Sequence, residues 1–238
     1  MEIVIDAALV GRILSEEADL ASREIRSVGP LRALAASQRR HDGRIAAAPD
    51  VATLDCRAGC AWCCHFSVDV RAAEVFAIVD FVAQTFTDEQ KASLRAATCA
   101  NRRLLQDLSE VERMTRNVRC PFLTDGNCAI YPVRPQTCRN YHATDVTGCR
   151  RSFEHPDDLD IDPEFAPAVY QAGTAHVEAF SAAMRDAGFD VDAYELNAAL
   201  DAALADPAAR ARFAARSVPF LGLQGVAVPE EYDDLEEL

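Results

Sequence analysis

The chain has 238 residues, half of them hydrophobic and 26% charged, with a formal net charge of −14. That balance suits a folded chain of one domain or two small ones. No run of 18 apolar residues occurs, so no membrane span is predicted, and the acidity argues against a nucleic-acid partner held through a basic face.

The N-terminus, MEIVIDAALVGRILSEEADL, carries acids within its apolar pattern and has no basic leader. It does not read as a secretory signal, so a cytoplasmic location is the expectation. Ile5, Leu9, Ile13 and Leu20 lie close to one helical face, and Gly29-Pro30 interrupts the pattern before a second, alanine-rich helix. From residue 61 to 120 there is neither Gly nor Pro. Val75, Val79, Val82 and Phe86 mark one amphipathic helix there. Thr87 is the expected N-cap of the next, with Gln90 as its capping-box partner and Leu94, Ala97, Leu105, Leu108 and Val111 along it.

The stretch 119–151 differs. Pro121, Pro132 and Pro135 stop any helix from running through it, and it has too few apolar residues to be held by burial alone. Helices return afterwards: one near 164–186, one started by Asp192 with Glu195 as capping box, and one with Asp206 as N-cap and Pro207 at its first position. The expected fold class is mainly α, with an irregular, loop-rich cysteine layer and no βαβ unit. Three segments are expected: helices over 1–55, a cysteine-cluster domain with inserted helices over 56–155, and a helical extension over 156–238. The last ends in an acidic tail, PEEYDDLEEL, that reads as solvated and partly disordered.

Eight of the nine cysteines fall in two groups: Cys56, Cys60, Cys63 and Cys64, then Cys120, Cys128, Cys138 and Cys149. In a reducing compartment such clusters point to metal ligation or catalysis in preference to disulfides. Spacings of two and three residues let the first group fold a tight loop, with Gly59 supplying backbone freedom. Six arginines stand between 116 and 151 (Arg116, Arg119, Arg134, Arg139, Arg150, Arg151) against Asp125 and Asp145 alone. Such cations favour thiolates and offset the −2 left by four of them around a divalent ion. Eight thiolates suit two zinc sites of four cysteines each, or one zinc site plus one iron–sulfur cluster. The adjacent Cys63 and Cys64 serve two ions, bridge two ions, or divide into one ligand and one free thiol. Cys99 falls off the apolar stripe of its helix and reads as a non-ligand. His65 and His142 stand near the clusters as surface or packing residues first, and as substitute ligands or sulfur partners second. Trp62 reads as packing on the cysteine loop, and His41, His155 and His176 carry no functional expectation.

The order Cys56-x3-Cys60-x2-Cys63-Cys64, Cys120-Pro-Phe-Leu, Gly126-Asn-Cys128-Ala-Ile-Tyr131 and Arg134-Pro135-x2-Cys138-Arg139 resembles the YkgJ-type cysteine-cluster proteins, the CxxCxxCC zinc- or iron-chelating domain. The likeness spans about 56–149, and the first spacing is three residues where the family name has two. It implies a bacterial, mostly cytoplasmic metal-binding protein of unsettled role. A similar cluster in flagellin lysine methylases adds an enzymatic alternative. Cys56-x3-Cys60-x-Trp62-Cys63 also satisfies the CxxxCxΦC spacing of radical S-adenosylmethionine enzymes, which would carry a [4Fe–4S] cluster, but the helical stretch that follows lacks the strands of their barrel. A thiol-based redox sensor is the third alternative. No Ser-His-Asp set, phosphate-binding glycine loop or HExxH motif is present. The leading expectation is a zinc- or iron-binding protein whose thiolate centre fastens 119–151 to the cysteine-rich start.

Overall fold

A computed structural model describes residues 6–57 and 59–226. Ile5 and the acidic tail lie outside the described residues. Among those described, helices dominate and strands are short, so the fold class is mainly α. No helix is long and apolar enough to cross a membrane.

The N-terminal pair consists of α1 (Ala7–Val28) and α2 (Pro30–Ala46). Gly29 joins them at φ +83°, a left-handed value that an L side chain resists, and Pro30 opens α2 with its ring already at the helical φ. The buried face of α1 is Ile13, Glu17, Ala21 and Ile25, spaced at four-residue steps, with Leu9 and Leu20 at its margin. The long α8 (Pro167–Asp186) packs along α1 and touches α2. Its contact face of Ala172, Gly173, Ala175, Ala179 and Ala183 lets the helices approach closely.

A second layer is built from two strand–helix units. Strand β1 (Asp69–Arg71) runs straight into α3 (Ala72–Thr85), and β4 (Ala193–Glu195) runs straight into α9 (Leu196–Ala205). The strands pair antiparallel, Asp69 opposite Glu195 and Arg71 opposite Ala193, so α3 and α9 are set side by side. Helix α4 (Asp88–Leu105) lies on α9, capped as expected by Thr87 and Gln90. It stops at Leu105, however. Ser109 and Glu112 form a new capping box that starts α5 (Glu110–Met114), and Val111 is left 59% exposed. The helix expected to continue through Leu108 and Val111 is therefore two.

The C-terminal helix starts also differ. Residues 193–195 are drawn into the strand pair, so α9 begins at Leu196 with Glu195 as its cap, not at Asp192. Residues 206–208 form a turn in which Asp206 accepts from the Ala208 N–H, and α10 (Ala209–Ala214) begins after it. One main core joins Ala21 and Leu34 to Val75, Phe76 and Ile78, Phe122 and Ile130, Phe180, Leu200, Phe213 and Phe220. Phe76 stacks at 5.3 Å from Phe213 and 5.7 Å from Phe220, and burial of each such ring stabilises by about 1.5–3 kcal/mol.

A smaller polar core lies between α1, α2 and α8. Glu17, Ser37, His41 and His176 are all fully buried. Arg40 grips Glu17 through Nε (2.8 Å) and Nη2 (2.7 Å), Ser37 donates to Glu17 Oε1 at 2.8 Å, and His176 Nε2 stands 2.9 Å from Ser37 Oγ. The His41 ring meets that of His176 edge-on at 5.3 Å. Burial, first, and neighbouring positive charge, second, lower the pKa of both histidines to about 3, so both are neutral.

Candidate metal centre

All eight candidate cysteines lie in irregular chain or short elements laid over the main core. Cys56 and Cys60 stand in the loop before a short 3-10 turn, Trp62–His65, which carries Cys63 and Cys64. Gly59, at φ +87°, makes the turn between them. The loop is tied down by backbone bonds: Asp55 N–H to Ala143 O (3.0 Å), Val118 N–H to His65 O and Cys120 N–H to Cys64 O (2.8 Å each). The cysteine-rich start and the proline-rich segment thus lie against each other.

Cys120 and Cys128 flank a hairpin of β2 (Leu123–Thr124) and β3 (Asn127–Cys128), turned by Asp125 and Gly126 at φ +49° and +76°. Two successive left-handed residues match the right-handed twist of a tight hairpin, and Asp-Gly supplies them at low cost. Each of these cysteines is fixed in the same way. Two residues on, Phe122 and Ile130 bury their side chains in the core at 1% exposure, while their backbone N–H groups donate back to the sulfurs of Cys120 and Cys128. Such N–H···S bonds favour the thiolate form. Cys56 has a similar bond from Ala143 N–H, 3.3 Å.

Cys138 and Cys149 sit on helices that the prolines were expected to exclude. Pro135 precedes α6 (Gln136–Asn140), where a helix tolerates proline, and Asp145 caps α7 (Val146–Glu154), which starts beyond the last proline of the stretch. The α7 helix also presents Phe153 to Trp62 at 5.2 Å and to His65 at 4.9 Å. Trp62 thus packs on the cysteine loop as expected, and His65 shares that platform. His142 is partly buried, its ring bonded to the Arg139 carbonyl, and burial lowers its pKa. Cys99 is on α4. None of the nine cysteines is in a disulfide.

Burial pushes up the thiols of Cys56 and Cys128, that of Cys149 to about 11 and that of Cys120 to about 12, and it raises Cys138 also. Each sulfur is further opposed by the charge of particular neighbours, and those neighbours sort the set. Cys56 is opposed by Cys60, and Cys149 by Cys56 and Cys60. Cys120 is opposed by Cys64 and Cys128, Cys128 by Cys64, and Cys138 by Cys120, Cys128 and Cys64. Cys63 donates to Cys64, which raises its own pKa and lowers that of Cys64, and it also faces Cys138 and Cys56. Cys149 thus neighbours Cys56 and Cys60, Cys138 neighbours Cys64, Cys120 and Cys128, and Cys63 stands between the two groups beside Cys64.

In these rotamers no three Cys, His, Asp or Glu side chains among the described residues converge as the ligands of one ion would. The donor chemistry nevertheless fits a soft metal: eight sulfurs on adjoining segments, with backbone N–H bonds to Cys56, Cys120 and Cys128, and arginines close by. Arg119 favours the Cys120 thiolate, and Arg134 and Arg139 favour that of Cys128. The same arginines have structural partners as well: Arg119 donates to Leu123 O, and Arg134 stacks on Tyr131 at 3.9 Å.

No curated protein and no solved structure matches the chain. One family model, CxxCxxCC, described as "Putative zinc- or iron-chelating domain", matches residues 55–162, a span that includes all eight clustered cysteines. The likeness to the CxxCxxCC family thus covers residues 55–162, a little under half of the chain.

Proposed function

We propose that the domain holds metal in two closed four-thiolate sites, Cys56, Cys60, Cys63 and Cys149 in one and Cys64, Cys120, Cys128 and Cys138 in the other, and that their role is to fasten 119–151 onto 56–65. The backbone bonds that lay 55–65 against 118–143, with the Ala143 N–H on the Cys56 sulfur and the Cys120 N–H on the Cys64 carbonyl, carry this reading. Cys63 and Cys64 are adjacent on one short turn, with Cys63 donating to Cys64, so that turn serves both sites. Rotation about cysteine χ1, a matter of staggered wells, brings each set of donors inward. A bound zinc ion or iron–sulfur cluster supplies a multivalent cross-link and neutralises the thiolates. The chain's own contribution is to place the sulfurs through the Phe122 and Ile130 anchors, the Asp125-Gly126 turn and the α7 cap, and to lower the cost of their charge with N–H groups and arginines. Because burial raises the pKa of Cys56, Cys120, Cys128, Cys138 and Cys149, binding at these thiols displaces protons.

The placement of Cys149 also bears on the S-adenosylmethionine alternative. That chemistry needs three cysteine ligands and one open iron. Here a further cysteine, Cys149, neighbours Cys56 and Cys60, which fits a closed site better. Anaerobic purification with metal analysis tests the reading on Cys149→Ala and Cys120→Ala. Each variant is expected to lose the metal of its own set and keep that of the other. Equal loss of all metal in both, or no loss in either, overturns the division.

A further inference from the structure

The short helix α6 carries Cys138 and is pinned on every side. Its first N–H, that of Gln136, donates to the buried Glu74 carboxylate of α3 at 2.6 Å, and Thr137 Oγ1 donates to Asp69 O at 3.0 Å. Asn140 Nδ2 donates to Thr174 Oγ1 of α8 at 3.1 Å. The strongest pin is Arg139, next to Cys138 and 2% exposed. Its Nη1 donates to both carboxylate oxygens of Asp42 on α2, at 2.8 and 2.6 Å, while Nε and Nη2 donate to the carbonyls of Arg134 and Pro132. Arg134 Nη2 also stands 3.8 Å from Asp42. One carboxylate therefore faces both guanidiniums of the Arg-Pro-x2-Cys-Arg segment. It comes from residue 42, outside the matched span of 55–162.

We propose that Asp42 is a positioning residue of the second thiolate site: through Arg139 it fixes α6, and so the direction of Cys138. The metal-binding unit then extends beyond the CxxCxxCC segment to α2. This inference rests on the proposed two-site reading. A buried guanidinium that loses its carboxylate is left uncompensated and draws its helix out of place. Cys138 is the ligand set on that helix, whereas Cys56, Cys60, Cys63 and Cys149 lie on other elements. Loss of Asp42 should therefore weaken one site and spare the other.

The test uses the full chain and Co2+ as a spectroscopic stand-in, with chelator competition to read affinity at each site. The first site is reported in a Cys120→Ala background and the second in a Cys149→Ala background. Asp42→Asn is expected to weaken the second site by about 10–100-fold, the range seen when outer partners of metal ligands are removed, with altered Co2+ bands, and to leave the first site unchanged. Asp42→Glu should restore part of the affinity. Glu24→Gln, which breaks the Arg40–Glu24 pair (2.9 Å) on the same helix pair away from α6, is the control and should affect neither site. Equal weakening of both sites, equal effects of Asp42→Asn and Glu24→Gln, or no effect of Asp42→Asn would overturn the proposal. Absence of Co2+ binding at the second site in the Cys149→Ala background alone would instead count against the two-site reading on which it rests.

Discussion

Acidification to pH 5 should destabilise the protein by about 4 kcal/mol through two buried histidines, His41 and His176. Both are fully buried, and both pKa values fall to about 3 in the fold, against about 6.5 in an unfolded chain. The unfolded state thus binds protons that the folded state refuses. Their contribution is intact above pH 6.5 and declines as pH falls towards 3, by about 1.4 kcal/mol per pH unit for each histidine. From pH 6.5 to 5 that amounts to about 2 kcal/mol per residue. Cysteine protonation changes over the same range when metal is bound, so the effect is read as a difference. Urea unfolding of the wild type and of His41→Leu, each at pH 7 and pH 5, isolates the histidine. The wild type should lose about 2 kcal/mol more than the variant on acidification. Equal losses in the two proteins would mean that His41 is hydrated or protonated in the fold, and the reasoning would fail.

Two further outcomes follow from particular contacts. At Gly173 an added Cβ would stand 1.6 Å from Asn140 Oδ1, so Gly173→Ala must expel that side chain and break its bond to Thr174. A cost of about 1–3 kcal/mol is expected in thermal melts, and Asn140→Ala in the same chain should recover most of it. Trp62 is the single tryptophan and stands between Cys60 and Cys63 against Phe153. Its fluorescence should therefore shift on metal removal, and Phe153→Ala should shift it without removing metal; an emission spectrum indifferent to both would contradict the packing described.

Much of the fold was legible from local signals. The Gly29-Pro30 break and the Thr87–Gln90 capping box each stand where the sequence places them, because each rests on contacts within a few residues. The same box at Ser109–Glu112 was hidden by the apolar residues Leu105, Leu108 and Val111, whose spacing continues a helix that the backbone ends. Asp192 and Glu195 mimic a helix start, yet pairing with Asp69–Arg71, more than a hundred residues earlier, claims that stretch for a strand. No local pattern states such a partner. The two cysteine groups stood out by number and spacing, but the nearness of Cys149 to Cys56 and Cys60 did not, since it depends on the placement of α7. His41 and His176 carried no functional expectation, and Glu17 was not singled out, yet all three are buried. Glu17 had one signal, four residues from both Ile13 and Ala21 on the apolar stripe. The histidines had none, because their burial depends on the approach of α8. Asp42 was missed for the same reason: its partner Arg139 lies in a different segment.

Metal content and the visible spectrum of the anaerobically purified protein, measured alongside Cys149→Ala and Cys120→Ala, test the central claim most directly. Two separable thiolate sites predict that each variant retains one site's metal and its share of the absorption, and that chelation of the wild type exposes 119–151 to protease. A protein that carries no metal, or that loses all of it through either single substitution, would contradict the account.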